Sequence, residues 1–341
     1  MIACSRIFRL QKLLMKHGLL PLCAAVLLVI LCTLPASSQV PSADTLPPVS
    51  SRAPGILGGH EFVPSSYIKD PFVRTFLRTG LGFGMTPELV VPLLTIQDTS
   101  IIGLKGSLLF AVLDVEYQQT IRDWVAVRGR VQVVGRMADK TPALISQGVT
   151  LFSAFELGWL FRIHQSDRFL LSGSFDIKNA ATTDVYLHRF IDGIIENGGI
   201  IRGSGLVQTT PTLRGGAGLH GAYAISDLVG LTFVGDLDYG ESANRNSPDE
   251  WSYAFTAAVD FNLLRQNGIP AGFIIGVRSR SNSWGQPVGQ GTAQTVFGRI
   301  GYTGSREFSF GIDLGYELTP VRDLEKKQGF LSALVDTRLF F

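Results

Sequence analysis

The sequence predicts an all-β fold, a transmembrane antiparallel up-and-down β-barrel of about 12 strands. Three observations support this prediction. From Arg74 onward, apolar and polar residues alternate with the period of two that is typical of β-strands. The alternating runs have at least the roughly 9–11 residues that a tilted strand needs to cross a bilayer. The connections between these runs alternate between short and long, as they do in barrels of this kind.

The two faces of each predicted strand differ in polarity. In the run 107–119, for example, Leu113 and Val115 share one face, and Asp114 and Glu116 share the other. The apolar face continues from strand to strand, which predicts a lipid-facing belt around a polar lumen. By the same parity Gln118 and Gln132 point inward, where substitutions are expected to be mild. The predicted strands are 74–86, 107–119, 124–137, 148–163, 168–179, 211–225, 230–241, 250–264, 270–281, 291–303, 308–318 and 329–341.

The connections place both ends of the barrel domain on one side of the membrane. Short turns are predicted around 122–123, 165–167, 226–227, 266–268 and 305–307. Longer loops are predicted at 87–106, 138–147, 180–210, 242–249, 282–290 and 319–328. Short turns face the periplasm in such barrels, so the chain ends are expected there. The segment 87–106 could add a hairpin, which leaves about 10 or about 14 strands as alternatives.

The last predicted strand carries a further signal. Leu331, Val335 and Phe341 share one face, and Asp336 and Arg338 share the other. This strand resembles the terminal strand of bacterial outer-membrane β-barrel (porin-like) proteins, which typically ends in an aromatic residue. The resemblance covers most of the chain and implies the outer membrane of a Gram-negative bacterium, with lipid around the belt. It also implies that the barrel-assembly machinery binds the C-terminal strand ending at Phe341.

The first 38 residues have the features of an export signal. A basic stretch with Arg6 and Lys16 precedes an apolar run from Leu19 to Leu34, and small residues follow at Ala36 to Ser38. This order predicts a signal peptide over 1–38, cleaved after Ser38. An uncleaved anchor is the alternative, although its apolar run is shorter than the roughly 20 residues that span a bilayer. All three cysteines lie in this segment, so the exported chain would carry no thiol into an oxidising compartment.

Residues 39–73 precede the barrel domain 74–341 and are rich in proline. Pro47, Pro48, Pro54 and Pro64 interrupt any regular element. We therefore expect an exposed, extended periplasmic leader. The alternative is a plug that folds back into the lumen.

The predicted lumen contains nearly balanced charges. Asp114 and Glu116 face the strand of Arg128 and Arg130 across one hairpin, and Arg299 faces Asp313 across another, so ion pairs are expected. Two interpretations remain open: a structural ladder that fills a narrow barrel, and an eyelet that selects solutes by charge. The lumen-lining candidates are Arg128, Arg130, Arg278, Arg280, Arg299, Asp114, Glu116, Asp236, Asp238 and Asp260.

The long loop 180–210 contains a segment with helical spacing. Between Asp184 and Asn197, apolar residues form a stripe beside Asp184, His188 and Asp192. This pattern predicts a helix that either packs on the barrel rim or folds inward as a constriction. The three polar residues could bind a hard cation only weakly.

Composition and motifs exclude several functions. A net charge of +2 and 17% charged residues argue against nucleic-acid binding. No cofactor or metal motif is present, and His220 has no serine two residues away, as outer-membrane lipases have, because Gly218 and Ala222 stand there. We therefore expect no enzyme. A pore or transporter for small solutes is favoured, a closed structural or surface-binding barrel is the alternative, and a lipid-active enzyme ranks third.

Overall fold

A computed structural model of the chain describes residues 55–86, 89–96, 99–138, 149–185, 207–242, 248–281, 292–320 and 327–341. The predicted signal peptide 1–38, the start of the leader, and 186–197 of the predicted helix lie outside these ranges. Within the described residues, no helix is long and apolar enough to cross a bilayer.

The chain forms a closed antiparallel barrel of 12 strands, as predicted. Each barrel strand pairs with the next one along the chain, and the last strand closes the barrel against the first. The barrel strands are β3 (Phe76–Met85), β6 (Leu108–Arg122), β7 (Val125–Ala138), β8 (Val149–Gln165), β9 (Phe169–Val185), β10 (Val207–Ala224), β11 (Val229–Gly240), β12 (Glu250–Asn262), β13 (Ala271–Ser281), β14 (Thr292–Tyr302), β15 (Phe308–Thr319) and β16 (Gln328–Phe340). All correspond to predicted strands, with ends that differ by a few residues in most cases.

Two small sheets lie outside the barrel wall. Strands β1 (Ile56–Leu57) and β2 (His60–Glu61) precede the barrel and pair with each other. Strands β4 (Leu89–Ile96) and β5 (Thr99–Gly106) form the hairpin that the sequence allowed within 87–106. This hairpin is a separate two-stranded sheet, so it adds nothing to the strand count of the barrel.

The connections alternate in length as predicted, with one correction. The predicted loop 180–210 is too long, because β9 continues to Val185 and β10 begins at Val207. Asp184 pairs with Gln208 in this ladder, so the predicted helix cannot begin at residue 184. The extension is rich in alanine, threonine and valine, and the β-branched residues among these favour a strand.

The outer surface of the barrel is apolar along its whole circumference. Leu113, Val131 and Ile275 are 47%, 47% and 62% exposed. Aromatic side chains lie near both ends of the strands, with Trp124 near the short turns and Trp251 near the long loops. A soluble protein would bury such a surface, whereas a bilayer solvates it, with aromatic rings at its interfaces.

The assignment of outer and inner faces can be tested by placing the same charge on each. Leu113→Arg or Val131→Arg should destabilise the barrel by about 2–4 kcal/mol near the membrane midplane, because the guanidinium would enter lipid. Gln132→Arg is the matched control, since Gln132 pairs with Asp114 on the lumen side. Refolding titrations into lipid vesicles measure the difference, and equal costs at the two faces would contradict the assignment.

Candidate functional site

Residues 55–75, here called the plug, lie inside the barrel. The prediction of an exposed leader is therefore wrong for this segment, and the alternative of an inserted plug is right. Both ends of the plug lie at the short-turn end: the Gly58 amide donates to the Asp167 carbonyl, and Phe76 begins β3. Between them the chain rises to Tyr67 and Lys69, about halfway up the strands, and then returns. The plug thus occupies the short-turn half of the lumen.

Apolar side chains attach the plug to the wall. Tyr67 stacks on Phe297 with 4.9 Å between ring centroids and an angle of 16°. Glycines in the wall make room for this packing. A Cβ on Gly272 would lie 2.4 Å from Val63 Cγ2, and one on Gly315 would lie 2.1 Å from the Tyr67 hydroxyl. The buried plug residues in the two apolar clusters are Leu57, Phe62, Val63, Ile68 and Phe72.

Lumen carboxylates hold the rising half of the plug. Asp260 bonds to the ring of buried His60, and its other oxygen accepts from the Val63 amide at 2.9 Å. Asp313 accepts from Ser65 Oγ at 2.7 Å. Asp260, a candidate for the solute pathway, is thus 1% exposed and bonded to the plug.

The tip of the plug places an ammonium group among three carboxylates. Lys69 Nζ lies 2.8 Å from Asp176, 3.2 Å from Asp236 and 3.3 Å from Glu156. Burial by itself would lower the pKa of Lys69, but the carboxylates, with Glu156 and Asp236 foremost, outweigh it and raise the pKa. Lys69 is therefore charged at neutral pH and compensates a patch of wall that is rich in carboxylates.

Charge pairs and amide donors fix the returning half of the plug. Asp70 accepts from Arg74 at 2.7 Å and from Arg338 at 2.8 Å. Burial would raise the pKa of Asp70, but the two guanidinium groups outweigh it and lower the pKa. Their stabilisation is therefore present above the unfolded carboxyl pKa of about 3.9 and is lost as the pH falls. Gln118 donates to the carbonyls of Phe72 and Arg74, so its replacement is now expected to cost more than the lumen position alone suggested.

The wall around the plug forms the ion pairs that the sequence predicted, and further pairs. Arg130 lies 2.8 Å from Asp114, and Arg299 lies 2.6 Å from Asp313. Arg78, which pairs with both Asp114 and Glu116, extends this network. Three further pairs skip a strand: Arg128 reaches Asp176, Lys178 reaches Asp238, and Arg299 also reaches Asp336.

A cavity of about 390 Å³ lies above the plug, in the loop-side half of the lumen. We call it the vestibule. Ser66, Tyr67 and Lys69 of the plug contribute to its lining. Of the lumen candidates, the vestibule is lined by Asp114, Arg130, Asp236, Asp238, Arg278 and Arg280. Arg128, Arg299, Glu116 and Asp260 do not line it, since they are buried in contacts with the wall or the plug.

Sequence inspection missed the plug residues His60, Lys69 and Asp70. One signal could have indicated them. An exposed tether has no reason to carry large apolar side chains, yet Phe62, Ile68 and Phe72 recur within this segment.

A comparison with protein-family models finds no match, and a comparison with curated proteins finds none either. Three similar solved structures are distant in sequence. The KdgM porin is 7% identical with a TM-score of 0.40, and the alignment covers 77% of this chain and 99% of the porin. The toluene transporter TodX of P. putida is 7% identical at a TM-score of 0.40, covering 81% of this chain and 91% of TodX. The β domain of the Bordetella autotransporter BrkA is 8% identical with a TM-score of 0.45, and the alignment covers 79% of this chain and 100% of the β domain.

The chain has the fold of an outer-membrane β-barrel. The closed ring of 12 strands with an apolar outer belt and a charged lumen decides this. The bore of this outer-membrane barrel is divided into a plugged short-turn half and a vestibule.

The contribution of Lys69 can be measured directly. Lys69→Met should reduce the free energy of unfolding by about 3–5 kcal/mol, because Asp236 loses its ammonium partner while it remains buried. Lys327→Met is the control, since Lys327 is exposed and donates only to a backbone carbonyl. Urea titrations in detergent micelles give both values, and equal stability of the two variants would contradict the role assigned to Lys69.

Proposed function

We propose that the protein is an outer-membrane channel for small polar solutes and that its bore is closed by its own plug. One observation carries this proposal: a separate segment, the plug, occupies the short-turn half of the lumen. Above the block, the vestibule has a polar lining suited to hydrated solutes. Withdrawal of the plug toward the short-turn end would connect the vestibule with that side.

The ion pairs of the wall lower the cost of withdrawing the plug. If Lys69 leaves, Asp176 and Glu156 each keep Arg128 at 2.8 Å. If Ser65 leaves, Asp313 keeps Arg299 at 2.6 Å. Three of the five carboxylates that hold the plug would thus remain paired in the open state, while water entering the bore would solvate Asp236 and Asp260. This arrangement suits a plug that moves in and out.

A closed structural barrel is the second candidate, favoured by the extent of the plug's contacts. Apolar packing, the Lys69 cluster and the pairs of Asp70 all hold the segment in place. In that case the lumen charges serve stability alone. The two candidates differ in whether the plug leaves the bore.

A reversible disulfide tests this difference. A Cβ on Gly272 would lie 2.4 Å from Val63 Cγ2, so the two Cβ atoms would be at most about 3.9 Å apart once a C–C bond of about 1.5 Å is added. This suits a disulfide, whose Cβ atoms are about 3.5–4.5 Å apart. The double variant Val63→Cys, Gly272→Cys should be silent in planar bilayers when oxidised and should conduct after reduction.

Each single-cysteine variant is the control and should conduct with or without reductant. The mature chain is expected to contain no native cysteine that could interfere. A locked variant that conducts as well as the reduced one would show that the plug need not move. Wild-type and reduced proteins that never conduct would favour the closed structural barrel.

A further inference from the structure

Arg278 differs from its neighbours in the lumen. In the described part of the chain no carboxylate forms an ion pair with it, and its buried Nε has no hydrogen-bond partner. The strand register explains this, because Arg278 lies between Thr256 on β12 and Thr295 on β14. Arg280, two residues along β13, pairs with Glu317 at 2.8 Å. A guanidinium group without an anion is costly inside a barrel unless water or a ligand compensates it.

The carboxylates near Arg278 are already engaged. Glu317 accepts from Arg280 through both oxygens and from Thr295 and Thr319. Asp236 accepts from Lys69. Arg280 and Arg130 add positive charge around Arg278. The described wall therefore supplies no carboxylate that is free to pair with Arg278.

The vestibule provides the space for such an anion. Arg278 lies on its wall, and the cavity volume of about 390 Å³ is within the range of about 300–1,000 Å³ for small-molecule sites. A guanidinium group without a carboxylate partner among the described residues thus lies beside a cavity of ligand size.

We infer that the vestibule binds a small organic carboxylate. The planar guanidinium of Arg278 matches a carboxylate in geometry and charge. The inference goes beyond the proposed channel, because binding requires neither conduction nor movement of the plug.

Titration calorimetry of the folded protein in detergent micelles at low ionic strength tests this site. The probe is D-gluconate, and sorbitol is its uncharged match, with a hydroxymethyl group in place of the carboxylate. Gluconate should bind and sorbitol should not. Arg278→Gln should weaken gluconate binding by about tenfold to a hundredfold, the value of a hydrogen bond to a charged group. Arg278→Lys should weaken it less, since the charge remains.

Two further variants separate the site from general charge effects. Glu317→Gln removes a negative charge beside Arg280 and should tighten gluconate binding. Arg162→Gln removes an arginine that does not line the vestibule and should leave the affinity for gluconate unchanged. Heat-modified gel migration verifies that each variant is folded.

Three results would overturn the inference: no gluconate binding by the wild type, equal binding of sorbitol, or unchanged binding by Arg278→Gln. Binding without conduction would leave the site intact and remove the channel proposal. Conduction without gluconate binding would remove the site and leave the channel proposal intact.

Discussion

The width of the bore is the constraint on which the rest of the structure depends. A barrel of about eight strands is narrow enough for its own inward side chains to fill. Twelve strands leave a wider interior. If that interior is not filled, each charge that points inward still needs a group that compensates it. This chain fills the short-turn half with residues 55–75 and leaves a cavity in the other half. The plug, the ion-pair network and the vestibule all follow from that width.

Electrostatics determines where the plug can lie. Asp176, Asp236 and Glu156 form a patch of the wall with more carboxylates than Arg128 alone can balance. Lys69 supplies the missing positive charge from the plug. The desolvation penalty of burying any one of these charges is offset only while its partners are present, so plug and wall depend on each other. The same principle makes Arg278 notable, since no carboxylate in the described part of the chain pairs with its charge.

The two halves of the lumen are therefore suited to different roles. In the short-turn half, hydrogen bonds join plug and wall, as for Asp260, Asp313 and Gln118. Beside the vestibule, the guanidinium of Arg278 has no carboxylate partner among the described residues. Contacts between plug and wall hold a conformation, whereas a charged group that lines a cavity without such a partner can recognise a solute. A channel needs both a segment that keeps it closed until it is opened and groups that select among solutes.

The sequence by itself determined the wall of this barrel. A period of two assigns each side chain to the lipid or the lumen, and short turns keep sequential strands adjacent, so pairs such as Asp114 with Arg130 follow from the hairpin alone. The tertiary structure decided the rest. Arg128 with Asp176 and Lys178 with Asp238 skip a strand, and Lys69 belongs to a segment whose prolines indicate only that it is irregular. Such contacts depend on how the closed sheet curves and on how much bore remains to be filled, which no local pattern encodes.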